Sequence, residues 1–126
     1  MTHPITLLQA ALVAALRAEL EPPVFDAPPR GASPPYLVIA RHDALPRDGD
    51  VAPGYEHRLL LHAWAPSASR KAALALAEQA VELVLDVASD DLRVTLARHD
   101  RTDTAVDPAT GRARAAIAFT FFTEPN

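Results

Sequence analysis

The stretch YEHRLLLHAWA, Tyr55 to Ala65, decides how the rest of the chain is read. It is rich in residues that suit a pleated surface, and strand side chains alternate between two faces. Tyr55, His57, Leu59, Leu61 and Ala63 fall on one side, the core side. Glu56, Arg58, Leu60, His62 and Trp64 fall on the other, which mixes charge with apolar bulk. The alternation also disposes of a metal motif. His57 and His62 point to opposite faces of a strand, and on a helix they would stand roughly 140° apart, so they share no site.

Upstream, Tyr36 to Arg41 (YLVIAR) reads as a second, buried strand. Between the two lies DALPRDGDVAPG, Asp43 to Gly54, whose Pro, Gly and charge read as a long exposed loop presenting Arg47, Asp48 and Asp50. Nearer the N-terminus, Ile5, Leu8, Leu12, Leu16 and Leu20 recur at three- and four-residue steps. They predict a helix capped by Thr2 and stopped by Pro22 and Pro23. Val24 to Asp26 is a candidate short edge strand, followed by a Pro-rich connector over 27–35.

Downstream, Ser67 or Ser69 can cap a second helix running to about Val87, with Ala73, Leu76, Ala80, Leu83, Val84 and Val87 as its apolar stripe. Leu92–Val106 and Arg112–Thr123 flank Asp107-Pro108-Ala109-Thr110-Gly111, a turn sequence that predicts a β-hairpin. Its second strand sets Ala113, Ala115, Ile117, Phe119 and Phe121 on one face, and Arg114, Ala116, Ala118, Thr120 and Phe122 on the other. The expected architecture is one domain over 1–126 of the α+β class. A mainly antiparallel four- to five-stranded sheet carries two helices, in the order α-β-β-β-α-β-β.

The 126 residues suffice for one core, and 49% hydrophobic with 22% charged residues is the balance of a soluble globular protein. No stretch reads as a transmembrane helix. The apolar run Ile5–Leu16 lacks the basic segment of a signal peptide and fits a helix face better. The absence of cysteine rules out disulfides and a thiol nucleophile and suits a reducing compartment, with the cytoplasm as the expected site of synthesis. A net charge of −4 disfavours a protein built to grip phosphate backbones.

Chemically competent residues are scattered. His42 beside Asp43 and His99 beside Asp100 face opposite ways on a strand, so neither doublet makes a dyad. Asp48-Gly49-Asp50 resembles a fragment of a calcium loop but lacks the further oxygen ligands and the distal Glu. There is no Gly-rich phosphate loop and no nucleophile elbow. No catalytic, cofactor-binding or metal-ligating residues are expected, and the chain reads as a non-enzyme. The face bearing Leu60, Trp64, Phe122, Ala116 and Ala118 is too apolar to be freely solvated. Either a helix or another subunit covers it.

The order of these pieces resembles a family of small phage and gene-transfer-agent proteins, the tail terminators or tail-completion proteins, related in fold to the terminators of lambda-like phages. The resemblance rests on LLQAALVAALRAEL, VFDAPPRGASPPYLVIA, EHRLLLHAWA running into APSASRKAALALAEQAVELV, and the closing AIAFTFFTE. It implies a structural virion protein that forms a homo-oligomeric ring, commonly a hexamer. Such a ring caps the tail tube protein, offers its other side to a head-side connector or stopper, and lets DNA through as passing cargo, with no membrane and no cofactor. Partner contacts are expected at Arg47, Asp48, Asp50, Leu60 and Trp64. The rival readings are a small-molecule-binding or regulatory α+β domain and, more remotely, an enzyme using His42 or His99.

Overall fold

The computed structural model of the chain describes residues 2–48 and 53–126. Helix α1 spans Pro4–Glu19, and Leu8, Leu12 and Leu16 form its buried stripe. Its cap is His3 rather than Thr2: the imidazole accepts from the Ile5 amide, and Pro4 follows where no amide proton is missed. Strand β1 (Val24–Phe25) is held to the helix by Arg17, whose guanidinium donates to the Val24 carbonyl at 2.9 Å. Strand β2 covers Tyr36–Asp48 and β3 covers Pro53–Trp64; α2 (Arg70–Leu85), β4 (Leu92–Val106) and β5 (Ala113–Pro125) complete the chain. The class and order are those read from the sequence. The sheet is mixed, because β1 lies parallel to β2 while every other pairing is antiparallel.

The strand order is β1-β2-β3-β5-β4. Both helices lie over one face, where their leucines and alanines join Leu59, Leu61, Ala63, Ile117, Phe119 and Phe121 in a single core cluster. The predicted inward faces of β3 and β5 are therefore the buried ones. At Gly54 an added Cβ would sit 3.0 Å from the Thr123 carbonyl oxygen, so the β3–β5 approach at that rung needs glycine. The β4–β5 turn is as expected: Asp107 accepts from the Ala109 amide, and Gly111 takes a φ of 71°.

Within the expected loop Asp43–Gly54, the described residues Asp43–Asp48 and Pro53–Gly54 are strand, and 49–52 lie outside the described residues. Residues up to Asp48 continue β2, which pairs rung by rung with β3 out to Asp48↔Pro53. Pro46 is tolerated because this part of β2 has a strand on one side only among the described residues. A bulge between Ile39 and Arg41 has a larger effect. Ala40 is the extra residue, so Leu37 and Ile39 point inward before it while His42 and Ala44 do so after it.

Ser69 caps α2 by accepting from the Ala72 amide at 3.1 Å. Ser69→Ala is expected to cost about 1 kcal/mol, as loss of a helix cap usually does, and Ser67→Ala distinctly less. Denaturant midpoints of the two variants check this; equal midpoints would overturn the assignment of the cap.

Candidate functional site

No helix covers the sheet face opposite the core, and that face is neither uniformly polar nor uniformly apolar. Its rungs run across four strands, and the central one reads Arg41, Leu60, Ala118, Arg101. Leu60, Trp64, Ala118 and Phe122 are half-buried among their neighbours, and Ala116 is almost fully so. Around them the charges compensate within strands. Arg41 meets Asp43 at 2.9 Å, Arg58 meets Glu56 at 3.0 Å, Arg98 meets Asp100 at 2.6 Å and Arg101 meets Asp103 at 2.9 Å, while Arg93 reaches across to Glu124. Such exposed pairs contribute little stability each. Their effect is to cancel the charge of ten of the face's residues around an apolar band at its centre.

Arg47 also belongs to this face. Its guanidinium lies 3.8 Å from the centre of the Phe122 ring, so it has the apolar anchor its sequence context did not suggest. Asp48 occupies the last described rung of the β2–β3 hairpin, and Asp50 lies outside the described residues. Leu60 and Trp64 share the face with Arg47. Asp100 accepts from Thr120 Oγ1 at 2.6 Å as well as from Arg98; burial pushes its pKa up, but these hydrogen bonds outweigh burial and hold it below the usual value. His62 is depressed by burial first and then by Arg114, with Asp103 opposing.

On the core side the structure brings together two histidines that sequence reading kept apart. His57 is fully buried, and its Nδ1 lies 2.8 Å from His42 Nε2. Its Nε2 lies 2.8 Å from Thr123 Oγ1, and His42 Nδ1 lies 3.3 Å from the Gln9 side-chain amide nitrogen. An amide NH2 can only donate, which sets the direction of the chain. Gln9 donates to His42 Nδ1, His42 Nε2 donates to His57 Nδ1, and His57 Nε2 donates to Thr123. A proton added to either ring would set two donors face to face. Burial is the largest cause that lowers both pKa values to about 4; the nearby Asp43 carboxylate resists the shift at His42, and the two rings oppose each other's charging at His57. The relay ties α1 to β2, β3 and β5. The missing signal was the Ala40 bulge: without it, strict alternation turns His42 outward.

His99 stands on the β4 edge, 2.7 Å from Thr102 Oγ1, far from this relay. Among the described residues no three His, Asp or Glu side chains converge to hold a metal ion. No described helix is long and apolar enough to cross a membrane.

The family model described as tail completion protein gp17 matches residues 6–124. Among solved structures, a chain of the virion of a native gene transfer agent particle superposes with a TM-score of 0.83, covering 98% of this chain and 99% of that one at 20% identity. At that identity the likeness is one of fold. No curated protein sequence matches the chain.

Proposed function

Since this chain belongs to the tail completion protein gp17 family and so to the tail of a phage or phage-like particle, we propose that it closes the tail tube as a ring of identical subunits. The ring, of six copies in this reading, seats on the tube protein and offers its opposite side to a head-side connector or stopper. Its action is structural, with no catalytic step and no cofactor. The observation that carries the reading is the uncovered sheet face: Leu60, Trp64 and Phe122 form an apolar band on a face most of whose charges are paired with one another. A surface of that kind suits contact with protein. The pairing of most of its arginines with carboxylates, with the net charge of −4, suits a passage that DNA must traverse without being held. Leu60 and Trp64 are the candidate contacts on the face, and Arg47 and Asp48 those at the end of β2, with Asp50 following them in the sequence.

Tails made without this protein provide the test. Adding purified wild-type chain should restore completed particles. Leu60→Asp with Trp64→Asp should leave the fold intact, because both side chains are half-exposed, yet lower the particle yield by about tenfold or more, as a charge placed in a contact costs well over 1.4 kcal/mol. A normal yield from this folded variant would remove the face from the assembly contacts.

A further inference from the structure

The two long edges of the sheet are complementary to each other. Beyond the short β1 pairing at Leu37 and Val38, β2 presents Ala40–Asp48 with no strand on its outer side among the described residues, and β4 does the same along Leu92–Val106. Open edges of this length are templates for another chain. They also run the right way. Strands β2, β3, β5 and β4 alternate in direction, so a second copy placed beside β4 with its β2 edge would continue the antiparallel order.

The sequence Arg-His-Asp occurs on both edges, at 41–43 and 98–100, and in each the Arg and Asp pair on the outer face. Antiparallel apposition of the two places Arg41 opposite Asp100 and Asp43 opposite Arg98. In the same register Leu45, the most exposed of the large apolar side chains among the described residues at 42%, meets half-buried Leu96. Two of these three pairs also continue rungs of the sheet, since Asp43 and Arg98 already share a rung, as do Leu45 and Leu96; Asp100 is the extra residue of a bulge in β4, next to Arg101 on the Arg41 rung. A slip of two residues one way sets Arg41 against Arg98, and the other way sets Asp43 against Asp100. A slip of one turns every side chain to the wrong face.

We infer that the β2 edge of one copy of this chain pairs antiparallel with the β4 edge of the next, through Arg41–Asp100, Asp43–Arg98 and Leu45–Leu96. The inference rests on the ring reading and supplies its joint. The contact is head-to-tail, the kind from which a ring closes when the rotation between copies allows it, and it leaves the two ends of the sheet for partners along the axis.

The test uses the full chain, which contains no cysteine to interfere. Leu45→Cys with Leu96→Cys, oxidised at high concentration and on purified tail tubes, should give a cross-linked ladder ending at the closed ring, and neither single variant should cross-link. Exchanging the charges on one edge, Arg41→Asp with Asp43→Arg, keeps the pair within the strand but sets like charges across the joint. It should lower cross-linking by about tenfold or more. Arg98→Asp with Asp100→Arg should do the same, and all four changes together should restore it. A two-fold β2–β2 contact would be untouched by the first exchange, because Arg41 and Asp43 would then face each other's copies; undiminished assembly there overturns the inference. Rings seen by electron microscopy without the cross-link also overturn it while leaving the ring reading standing. Failure of the wild-type chain to form rings or to cap tubes overturns both.

Discussion

Phe119→Ala is expected to destabilise the fold by about 3–5 kcal/mol, the usual cost of deleting a buried aromatic side chain. Phe119 is 1% exposed, stacks on Phe121 with ring centres 6.1 Å apart, and stands opposite Leu59 on β3 and His99 on β4. Helix α2 lies above it and the sheet holds it from both sides, so little can collapse into the space left behind. For a chain of this length the loss corresponds to roughly 10–20 °C in melting temperature. Leu61→Ala, equally buried on the neighbouring strand, should cost about 2–5 kcal/mol. The control is Leu60→Ala, one residue away on the half-exposed face, expected to cost about 1 kcal/mol or less. Similar midpoints for Leu60→Ala and Phe119→Ala would mean that the faces of the sheet are reversed.

Acid should weaken the fold from about pH 6.5 downward. In the unfolded chain His42 and His57 take up protons below the ordinary value of 6.5, whereas in the folded relay both resist until about pH 4. The unfolded state therefore binds more protons between these limits. Stability is fully present above about pH 6.5 and is lost as pH falls toward 4, at up to about 1.4 kcal/mol per pH unit for each ring. Asp100, whose pKa is held below its ordinary value, acts only at lower pH and leaves this window clear. Thermal melts from pH 7.5 to 4.5 should show a falling midpoint. His57→Gln should start lower at pH 7.5, because it disrupts a fully hydrogen-bonded buried chain, yet slope less steeply. A wild-type midpoint that does not move between pH 7 and 4.5 would contradict the neutral relay.

What the sequence made legible, and what it hid, follows from the range of each signal. Helix stripes such as Leu8, Leu12 and Leu16, and the alternation along Tyr55–Trp64 and Ala113–Phe122, are written within single elements and read correctly. The outer half of β2 was hidden because Pro, Gly and charge normally mark loops. Here Pro46 and the charged residues from Asp43 to Asp48 sit on a sheet edge, where a missing amide goes unpunished and charge is useful. The His42–His57 contact was hidden for a different reason. It depends on one extra residue, Ala40, changing which face of β2 looks inward, and bulges leave no compositional mark. Of the candidate contacts, Leu60 and Trp64 share the uncovered face as expected from alternation, whereas the placement of Arg47 over Phe122 needed the β2–β3–β5 register.

The strand order also governs how the chain can assemble itself. Strands β2 with β3, and β4 with β5, are local hairpins that can zip with little entropy of closure. The seam between them, from Trp64↔Arg114 to Tyr55↔Thr123, joins positions roughly 50 to 70 residues apart, with α2 on the intervening chain. Strand β5 is made last yet lies inside the sheet, so β3 has no second neighbour and the leucines of α1 no complete floor until β5 is made. During translation this domain therefore waits on its C-terminal hairpin, holding an unsealed apolar sheet in the interval when nascent chains are most open to mispairing with one another.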